Sequence, residues 1–90
     1  MASEGRAAMV TGASRGIGRA VALRLAEAGL PVCVTCRENL GGAEETAERI
    51  GVGGGRAIAL RADVSDAAAV AEMVRRTCEE LGPPLILVNN

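Results

Sequence analysis

The chain contains no Phe, Trp or Tyr and also no Lys or His, so all ten of its basic residues are Arg. These absences exclude a Tyr, Lys or His acid–base from this polypeptide. They also leave Val, Ile, Leu, Ala and Met to build the core, which suits compact layers of helices on a sheet. No apolar run approaches the span of a bilayer, and a formal net charge of -1 offers no basic field to nucleic acid or an anionic membrane.

The length and composition indicate one globular domain over residues 1–90. The short polar N-terminus, residues 1–6, includes Glu4 and has the pattern of neither a signal peptide nor a transit peptide. We therefore expect a cytoplasmic protein that binds neither nucleic acid nor membrane.

Two of the three cysteines, Cys33 and Cys36, form a C-x-x-C pattern, which is typical of a redox pair or half of a zinc site. Both fall in a predicted strand, however, where their odd separation places them on opposite faces. A redox pair needs a helix N-terminus, and zinc needs four ligands, which Cys78 alone cannot complete. We interpret all three as core or near-core residues and expect no metal site.

Strand and helix signals alternate regularly along the sequence. Apolar runs predict strands at 7–11, 32–36, 57–61 and 85–88, with a turn at 39–42 and a glycine loop at 51–55. The resulting order, β-α-β-α-β-α-β, predicts an α/β fold with a parallel sheet and right-handed crossovers.

Three helices are predicted between these strands. The first ends at Gly29, the second spans 43–50, and the third is capped by Ser65 or Asp66. The apolar face of the first helix carries Ile17, Val21, Leu25 and Ala28, with Arg19 on another face. The apolar stripe of the third helix consists of Val70, Met73, Val74, Thr77, Cys78 and Leu81.

A glycine-rich run joins the first strand to the first helix and has the spacing G-x-x-x-G-x-G. Gly12 permits the sharp turn, Gly16 lets the backbone approach a pyrophosphate, and Gly18 lets the helix pack closely on the sheet. The N–H groups of the first helical turn then face the phosphates. The alternative is a strand-to-helix loop that merely needs glycine. The run reads Thr11-Gly12-Ala13-Ser14-Arg15-Gly16-Ile17-Gly18.

In a dinucleotide-binding fold, the end of the second strand distinguishes sites that prefer NAD from sites that prefer NADP(H). An NAD site usually has an acidic residue there, about 20 residues past the glycines, to hold the ribose hydroxyls. Here Cys36 and Arg37 occupy that place, and the next carboxylate is Glu38. Arg15 and Arg37 together favour NADP(H), because both can reach a 2′-phosphate; the alternative is that both are ordinary solvated arginines.

Three motifs in order resemble those of the short-chain dehydrogenase/reductase family. They are the Thr11–Gly18 loop, Asp63-Val64 after the third strand, and Leu87-Val88-Asn89-Asn90, which is similar to the start of an Asn-Asn-Ala-Gly motif. The resemblance implies a Rossmann-type sheet of strand order 3-2-1-4, truncated, with helices on both faces. It also implies that residues 12–18 and Arg37 bind NADP(H), that Asp63 and Val64 contact the adenine, and that Asn90 contacts the cofactor. Asp63 has another interpretation, as the start of a turn, and Asn90 has one as a strand-end residue that binds no ligand.

Within that family the run from Val10 to Ala20 most resembles 3-oxoacyl-[acyl-carrier-protein] reductases. This implies an oligomeric parent protein that reduces a carbonyl, such as a 3-oxoacyl thioester, with NADPH. The family's catalytic Ser, Tyr and Lys lie beyond the segment matched here, so no catalytic residue is assigned. The sequence departs from the family at Pro83-Pro84, where an Asp is common. A non-catalytic NADP(H)-binding module and an inactive fragment remain as alternatives.

Overall fold

The computed structural model describes residues 6–89, which form four strands and three helices in strict alternation. The strands are β1 (Ala7–Val10), β2 (Val32–Cys36), β3 (Ala57–Arg61) and β4 (Pro84–Val88). The helices are α1 (Gly16–Glu27), α2 (Leu40–Val52) and α3 (Ala67–Glu80). All seven predicted elements are present, with the strand bounds within one residue of prediction.

The four strands form one parallel sheet of order β3-β2-β1-β4, which confirms the Rossmann-type prediction. β1 lies between β2 and β4, with Met9 opposite Cys33 on one side and Leu87 on the other. β3 extends the sheet beyond β2, pairing Ala57 with Val32 through to Arg61 with Cys36. The carboxyl ends of all the strands therefore lie along one edge of the sheet.

Helices cover the two faces of the sheet unequally. One core cluster, which includes Val10, Val34 and Cys36, packs under α1 and α2. A second cluster, which includes Met9 and Cys33, packs under α3. Because Cys33 and Cys36 fall in different clusters, their predicted placement on opposite faces is confirmed.

The buried face of α1 differs from the predicted one. Ile17 is 75% exposed, whereas Gly18 and Ala22 are the fully buried residues of the helix. These two small residues, one turn apart, let the helix approach the sheet closely, so that larger side chains such as Val21 and Leu25 pack at its flanks. The role predicted for Gly18 in close packing is thus confirmed, but Ile17 is not a core residue.

The turn predicted at 39–42 and the loop predicted at 51–55 are wrong in part, because α2 extends into both. Asn39 is the N-cap residue, and its Oδ1 accepts a hydrogen bond from the Gly42 N–H at 3.0 Å. At the other end, buried Ile50 anchors the last turn, so the helix continues through Gly51 and Val52. Packing here outweighs the cost of about 1 kcal/mol for a helical glycine.

Asp66, not Ser65, caps α3: its Oδ1 accepts from the N–H groups of Ala68 at 2.9 Å and Ala69 at 3.3 Å. The predicted stripe is buried at Met73, Thr77 and Leu81. Val74 and Cys78 are exposed. The interpretation of Cys78 as a core or near-core residue is therefore wrong, because α3 contacts the sheet along a narrower stripe than its apolar composition suggests.

β4 forms one end of the sheet and leaves large apolar side chains exposed. Leu85 and Leu87 are 65% and 64% exposed. Alternation along the strand places both on the face that α3 covers only in part. Within residues 6–89 the outer edge of β4 pairs with no other strand, and together with the apolar surface this favours association with another strand.

The unequal burial of the cysteines predicts selective alkylation. Burial raises the thiol pKa of Cys33 and of Cys36, whereas Cys78 is exposed. Iodoacetamide at pH 8 is expected to modify Cys78 in the native chain about tenfold faster or more than the other two, as measured by peptide mass spectrometry. A Cys78→Ser chain should stay unmodified until denaturant is added. Comparable native modification of Cys33 would contradict the described packing.

The exposed β4 edge predicts that the 90-residue chain self-associates. Replacing both Leu85 and Leu87 by Lys is expected to shift the sedimentation-equilibrium mass toward the monomer, because charge on a strand edge opposes pairing. Val52→Lys is the matched control, since Val52 is 83% exposed but lies at the end of α2. A wild-type chain that is already a clean monomer with sharp two-state unfolding would rule out this edge as a site of association.

Candidate functional site

The candidate site lies at the carboxyl edge of the sheet, where the segments following β1 and β2 meet. Together they form an open cleft of about 610 Å³. A smaller neighbouring crevice of about 380 Å³ lies toward the end of β3 and shares Arg37 and Glu38 with the cleft. The cleft is lined by Gly12, Ser14, Arg15, Gly16, Cys36, Arg37, Glu38 and Asn39.

Two glycines give the loop after β1 its shape. Gly12 and Gly16 have φ angles of 63° and 64°, in the left-handed region that other residues rarely adopt. A Cβ atom on Gly16 would meet no heavy atom within 4 Å, so the backbone at this position borders open space. The loop therefore presents bare backbone to the cleft, which is what close approach of a pyrophosphate requires.

The first turn of α1 is arranged differently from that of the other two helices. Asn39 and Asp66 cap α2 and α3 with side-chain oxygens, but the side chain of Arg15, the N-cap residue of α1, makes no such hydrogen bond. Like the first turns of α2 and α3, the first turn of α1 contains no acidic residue, so the missing side-chain cap is what distinguishes it. Its N–H groups carry the positive end of the helix dipole toward the cleft, an arrangement suited to a phosphate.

Not every residue of the predicted loop lines the cleft. Ala13 is fully buried, and its N–H donates to the Thr35 carbonyl at 3.1 Å. Gly18 is buried against the core, and the Ile17 side chain is exposed outside the cleft. Ala13 and Gly18 thus support the loop from behind, while Gly12, Ser14, Arg15 and Gly16 border the cleft itself.

The structure brings both predicted arginines to the cleft. Arg15 lies at the end of the loop, and Arg37 lies directly after β2. The Arg37 side chain is 76% exposed, and its Nε atom is 3.9 Å from Asp63 Oδ2. Its carbonyl accepts a hydrogen bond from Arg61 Nε at 3.2 Å. Glu38 also borders this cleft, so one carboxylate lies beside the two guanidinium groups.

Asp63 adopts the turn role that was its alternative interpretation. Its Oδ1 accepts from the Ser65 hydroxyl at 2.7 Å and from the Ser65 N–H at 2.9 Å. These hydrogen bonds, with a smaller contribution from Arg37, hold the pKa of the Asp63 carboxyl below its usual range. Val64 is 52% exposed beside it. Asn90, also predicted to contact the cofactor, lies outside the described residues.

The sequence pattern did not identify three residues that shape this site. Arg19, assigned to a solvated face, has a side chain only 17% exposed and donates to the Ser14 carbonyl. Thr46, fully buried on α2, donates to the Ala13 carbonyl. Asn39 lines the cleft while capping α2. The S/T/D/N preference at N-caps could have indicated Asn39, but no local signal marks Arg19 or Thr46.

The beginning of the loop is tied to β4. The Thr11 N–H donates to the Val88 carbonyl at 3.0 Å, and its hydroxyl donates to Asn89 Oδ1 at 3.1 Å.

Across residues 6–89 no group of three His, Cys, Asp or Glu side chains is placed to hold a metal ion. Over the same range, none of the helices has the length and hydropathy needed to cross a membrane.

A parallel βαβ sheet with a glycine loop leading into an uncapped helix defines a dinucleotide-binding fold. A family model described as short chain dehydrogenase matches residues 6–90. The chain belongs to the short-chain dehydrogenase/reductase family of oxidoreductases, whose members use NAD(P)(H) and act on a carbonyl substrate or its alcohol.

Individual relatives agree with this assignment. An uncharacterised oxidoreductase of Methylorubrum extorquens is 44% identical over 97% of this chain and 35% of its own length. The 3-oxoacyl-[acyl-carrier-protein] reductase FabG of Pseudomonas aeruginosa is 43% identical over all of this chain and 36% of its own length. A solved dehydrogenase/reductase from Sinorhizobium meliloti is 46% identical with a TM-score of 0.90, covering 97% of this chain and 34% of that one. The chain thus spans about a third of the relatives it matches.

Proposed function

We propose that the chain is the cofactor-binding part of an NADP(H)-dependent short-chain oxidoreductase that reduces a carbonyl. The observation that carries this proposal is the cleft at the carboxyl edge. There the bare glycine backbone, the uncapped N-terminus of α1 and two arginines border one space. The pyrophosphate would lie against the loop, held by backbone N–H groups of Ser14, Arg15 and Gly16.

Preference for NADP(H) is supported by the side chains at the end of β2. Arg15 and Arg37 are the two cations of the cleft, and the acidic residue that would hold ribose hydroxyls is replaced by Cys36. A hydrogen bond to a charged group contributes roughly 1.5–3 kcal/mol, less where solvent screens it. One such contact retained in full corresponds to about tenfold discrimination or more. Glu38 opposes this preference, but it is exposed and free to turn toward solvent.

Arg37 changes partner in this proposal. Its Nε atom lies 3.9 Å from Asp63 Oδ2, a separation that gives only a weak interaction between exposed groups. A 2′-phosphate is a stronger and better-hydrogen-bonding partner, so the guanidinium can turn to it at little cost. Asp63 would then face the adenine alongside Val64, whose exposed side chain offers an apolar surface to the ring.

The reaction and substrate are proposed from the relatives. Bound NADPH would supply hydride to a carbonyl carbon, and identity of 43% to a 3-oxoacyl-[acyl-carrier-protein] reductase supports a 3-oxoacyl thioester as the substrate. Residues of the parent protein outside the segment matched here would transfer the proton and orient the substrate. Homo-oligomerisation of the parent, contact with an acyl carrier and a cytoplasmic location stay predictions.

A binding module without catalysis is the second candidate for the 90-residue chain itself. The observation that favours it is compositional: the chain has no Tyr or Lys to act as a proton donor, while the loop after β1 and the end of β2 border one cleft. Saturable NADPH binding without carbonyl reduction would identify the chain as such a module. An inactive fragment would bind neither NADPH nor NADH.

Reversing the charge of Arg37 tests the cofactor preference. Arg37→Asp is expected to weaken NADPH binding about tenfold, because the 2′-phosphate loses a cation and meets a carboxylate. NADH binding is expected to be unchanged or stronger, because a carboxylate at this place can hold the ribose hydroxyls. Dissociation constants for both nucleotides, measured by isothermal titration calorimetry on the chain and on a full-length relative carrying the same change, give the ratio directly.

Arg24→Asp is the matched control for this measurement. Arg24 is an exposed arginine of α1 that pairs with Glu27 outside the cleft, so its reversal should leave the NADPH-to-NADH ratio unchanged. Equal affinities of the correctly folded wild-type protein for the two nucleotides would refute the proposed NADP(H) preference.

A further inference from the structure

Arg19, a residue of α1, makes polar contacts both with the loop after β1 and with α2. Its Nη2 atom donates to the Ser14 carbonyl at 2.6 Å and to the Gly42 carbonyl at 3.2 Å, while Nε donates to Thr46 Oγ1 at 2.8 Å. Its Nη2 also lies 3.6 Å from Glu45 Oε1. Only an arginine offers this planar set of donors, so the guanidinium joins the loop to α2 at several points.

Thr46 extends the connection to the preceding loop residue. Its hydroxyl is fully buried and lies 2.8 Å from the Ala13 carbonyl and 3.1 Å from the Gly42 carbonyl. The same oxygen accepts a hydrogen bond from Arg19 Nε, so the hydroxyl connects the arginine to the Ala13 carbonyl of the loop. Two consecutive loop carbonyls, those of Ala13 and Ser14, are therefore both held toward α2.

Holding these carbonyls fixes the direction of the next two N–H groups. In a trans peptide the C=O and the following N–H point in opposite directions. With the Ala13 and Ser14 carbonyls directed at α2, the N–H groups of Ser14 and Arg15 are directed away from α2. Ser14 and Arg15 both line the cleft, so these are N–H groups available to a phosphate.

The fit between loop and helix is tight as well as hydrogen-bonded. A Cβ atom on Gly42 would lie 2.6 Å from the Ser14 carbonyl oxygen and 2.6 Å from Asn39 Nδ2. Glycine at this position lets the first turn of α2 approach the loop closely enough for Arg19 to bridge them. The shape of the loop is thus set by contacts with Arg19 and α2.

We propose that Arg19 is a positioning residue of the cofactor site, which presets the phosphate-facing N–H groups of the loop by bridging it to α2. This inference rests on the proposed function for the identity of the ligand. Arg19 itself would touch no part of the nucleotide, and Thr46 would act with it. Because it acts on the part of the site common to both cofactors, its effect should not depend on the 2′-phosphate.

Arg19→Gln is therefore expected to weaken NADPH and NADH binding by the same factor, about tenfold, with their ratio unchanged. Thr46→Val, which keeps the shape of the side chain but removes the hydroxyl, should also weaken the binding of both nucleotides. Arg19→Lys should recover part of the affinity, because an ammonium can still reach one loop carbonyl. Arg24→Gln on the same helix is the control and should change neither affinity.

A second readout keeps the test independent of nucleotide binding. In the free chain, Arg19→Gln and Thr46→Val should shift the amide resonances of Ser14 and Arg15 and accelerate their hydrogen exchange, while far-UV circular dichroism stays native. If Arg19→Gln does not fold, the nucleotide affinities and amide shifts of Arg19→Lys and Thr46→Val are compared with those of the wild type. Should wild-type chain bind neither nucleotide, the proposed function fails, yet the amide readout still decides the role of Arg19.

The positioning role is overturned by any of three results. One is unchanged affinity for both nucleotides in folded Arg19→Gln, and another is loss of NADPH affinity alone, which would place Arg19 on the 2′-phosphate. The third is that Ser14 and Arg15 keep their wild-type amide chemical shifts and hydrogen-exchange rates in the variants measured without nucleotide. That result would show that the loop keeps its shape without the contacts of Arg19.

Discussion

The hydrogen bonding of β1 along both of its edges is the constraint on which the rest of the structure depends. All four residues of this strand are buried, and they pair with β2 on one side and β4 on the other. From β1 the chain builds outward to β2 and β3, and then crosses to β4 on the opposite side. The loop after β1 therefore emerges where the strand order reverses, the position at which open α/β sheets bind their ligands.

The same parallel arrangement gives the two ends of the sheet opposite chemistry. At the amino end the C-termini of the three helices converge on a depression of about 830 Å³, larger than the cleft, whose charged residues are Glu27, Glu79, Glu80 and a single cation, Arg56. Negative helix ends and carboxylates make this depression a poor host for a phosphate, despite its size. The smaller cleft at the carboxyl edge combines a helix N-terminus with Arg15 and Arg37. Charge and backbone geometry, not volume, distinguish the candidate site.

Patterns that act over short distances in sequence predicted most of the fold. Alternating strands and helices and the separation of Cys33 from Cys36 each have a local physical cause, and both predictions are confirmed by the observed sheet. The glycine-rich run joins β1 to α1 as predicted, and its binding of a pyrophosphate stays a prediction. Element ends were less predictable. A turn was predicted at 39–42, but these residues begin α2, and Gly42 fits there because the Ser14 carbonyl leaves no room for a Cβ.

Contacts between distant segments explain what could not be predicted at the candidate site. Arg19 has the spacing of an ordinary surface arginine, and it is half-buried because α2 packs against the loop from 23 residues further along the chain. Similarly, Ile17 fits a helical stripe, but Gly18 and Ala22 allow an approach that leaves Ile17 outside. Such outcomes depend on tertiary packing, which overrides local periodicity.

The central claim is that the carboxyl edge of this sheet binds a nicotinamide dinucleotide. A titration of the ¹⁵N-labelled chain with NADPH, followed by amide chemical shifts, tests it most directly. The account predicts saturable shifts at residues 12–16, 37–39 and 63–64, with residues 26–31, 53–56 and 78–82 at the opposite end unmoved. Shifts concentrated at that opposite end, or none up to millimolar nucleotide, would contradict it.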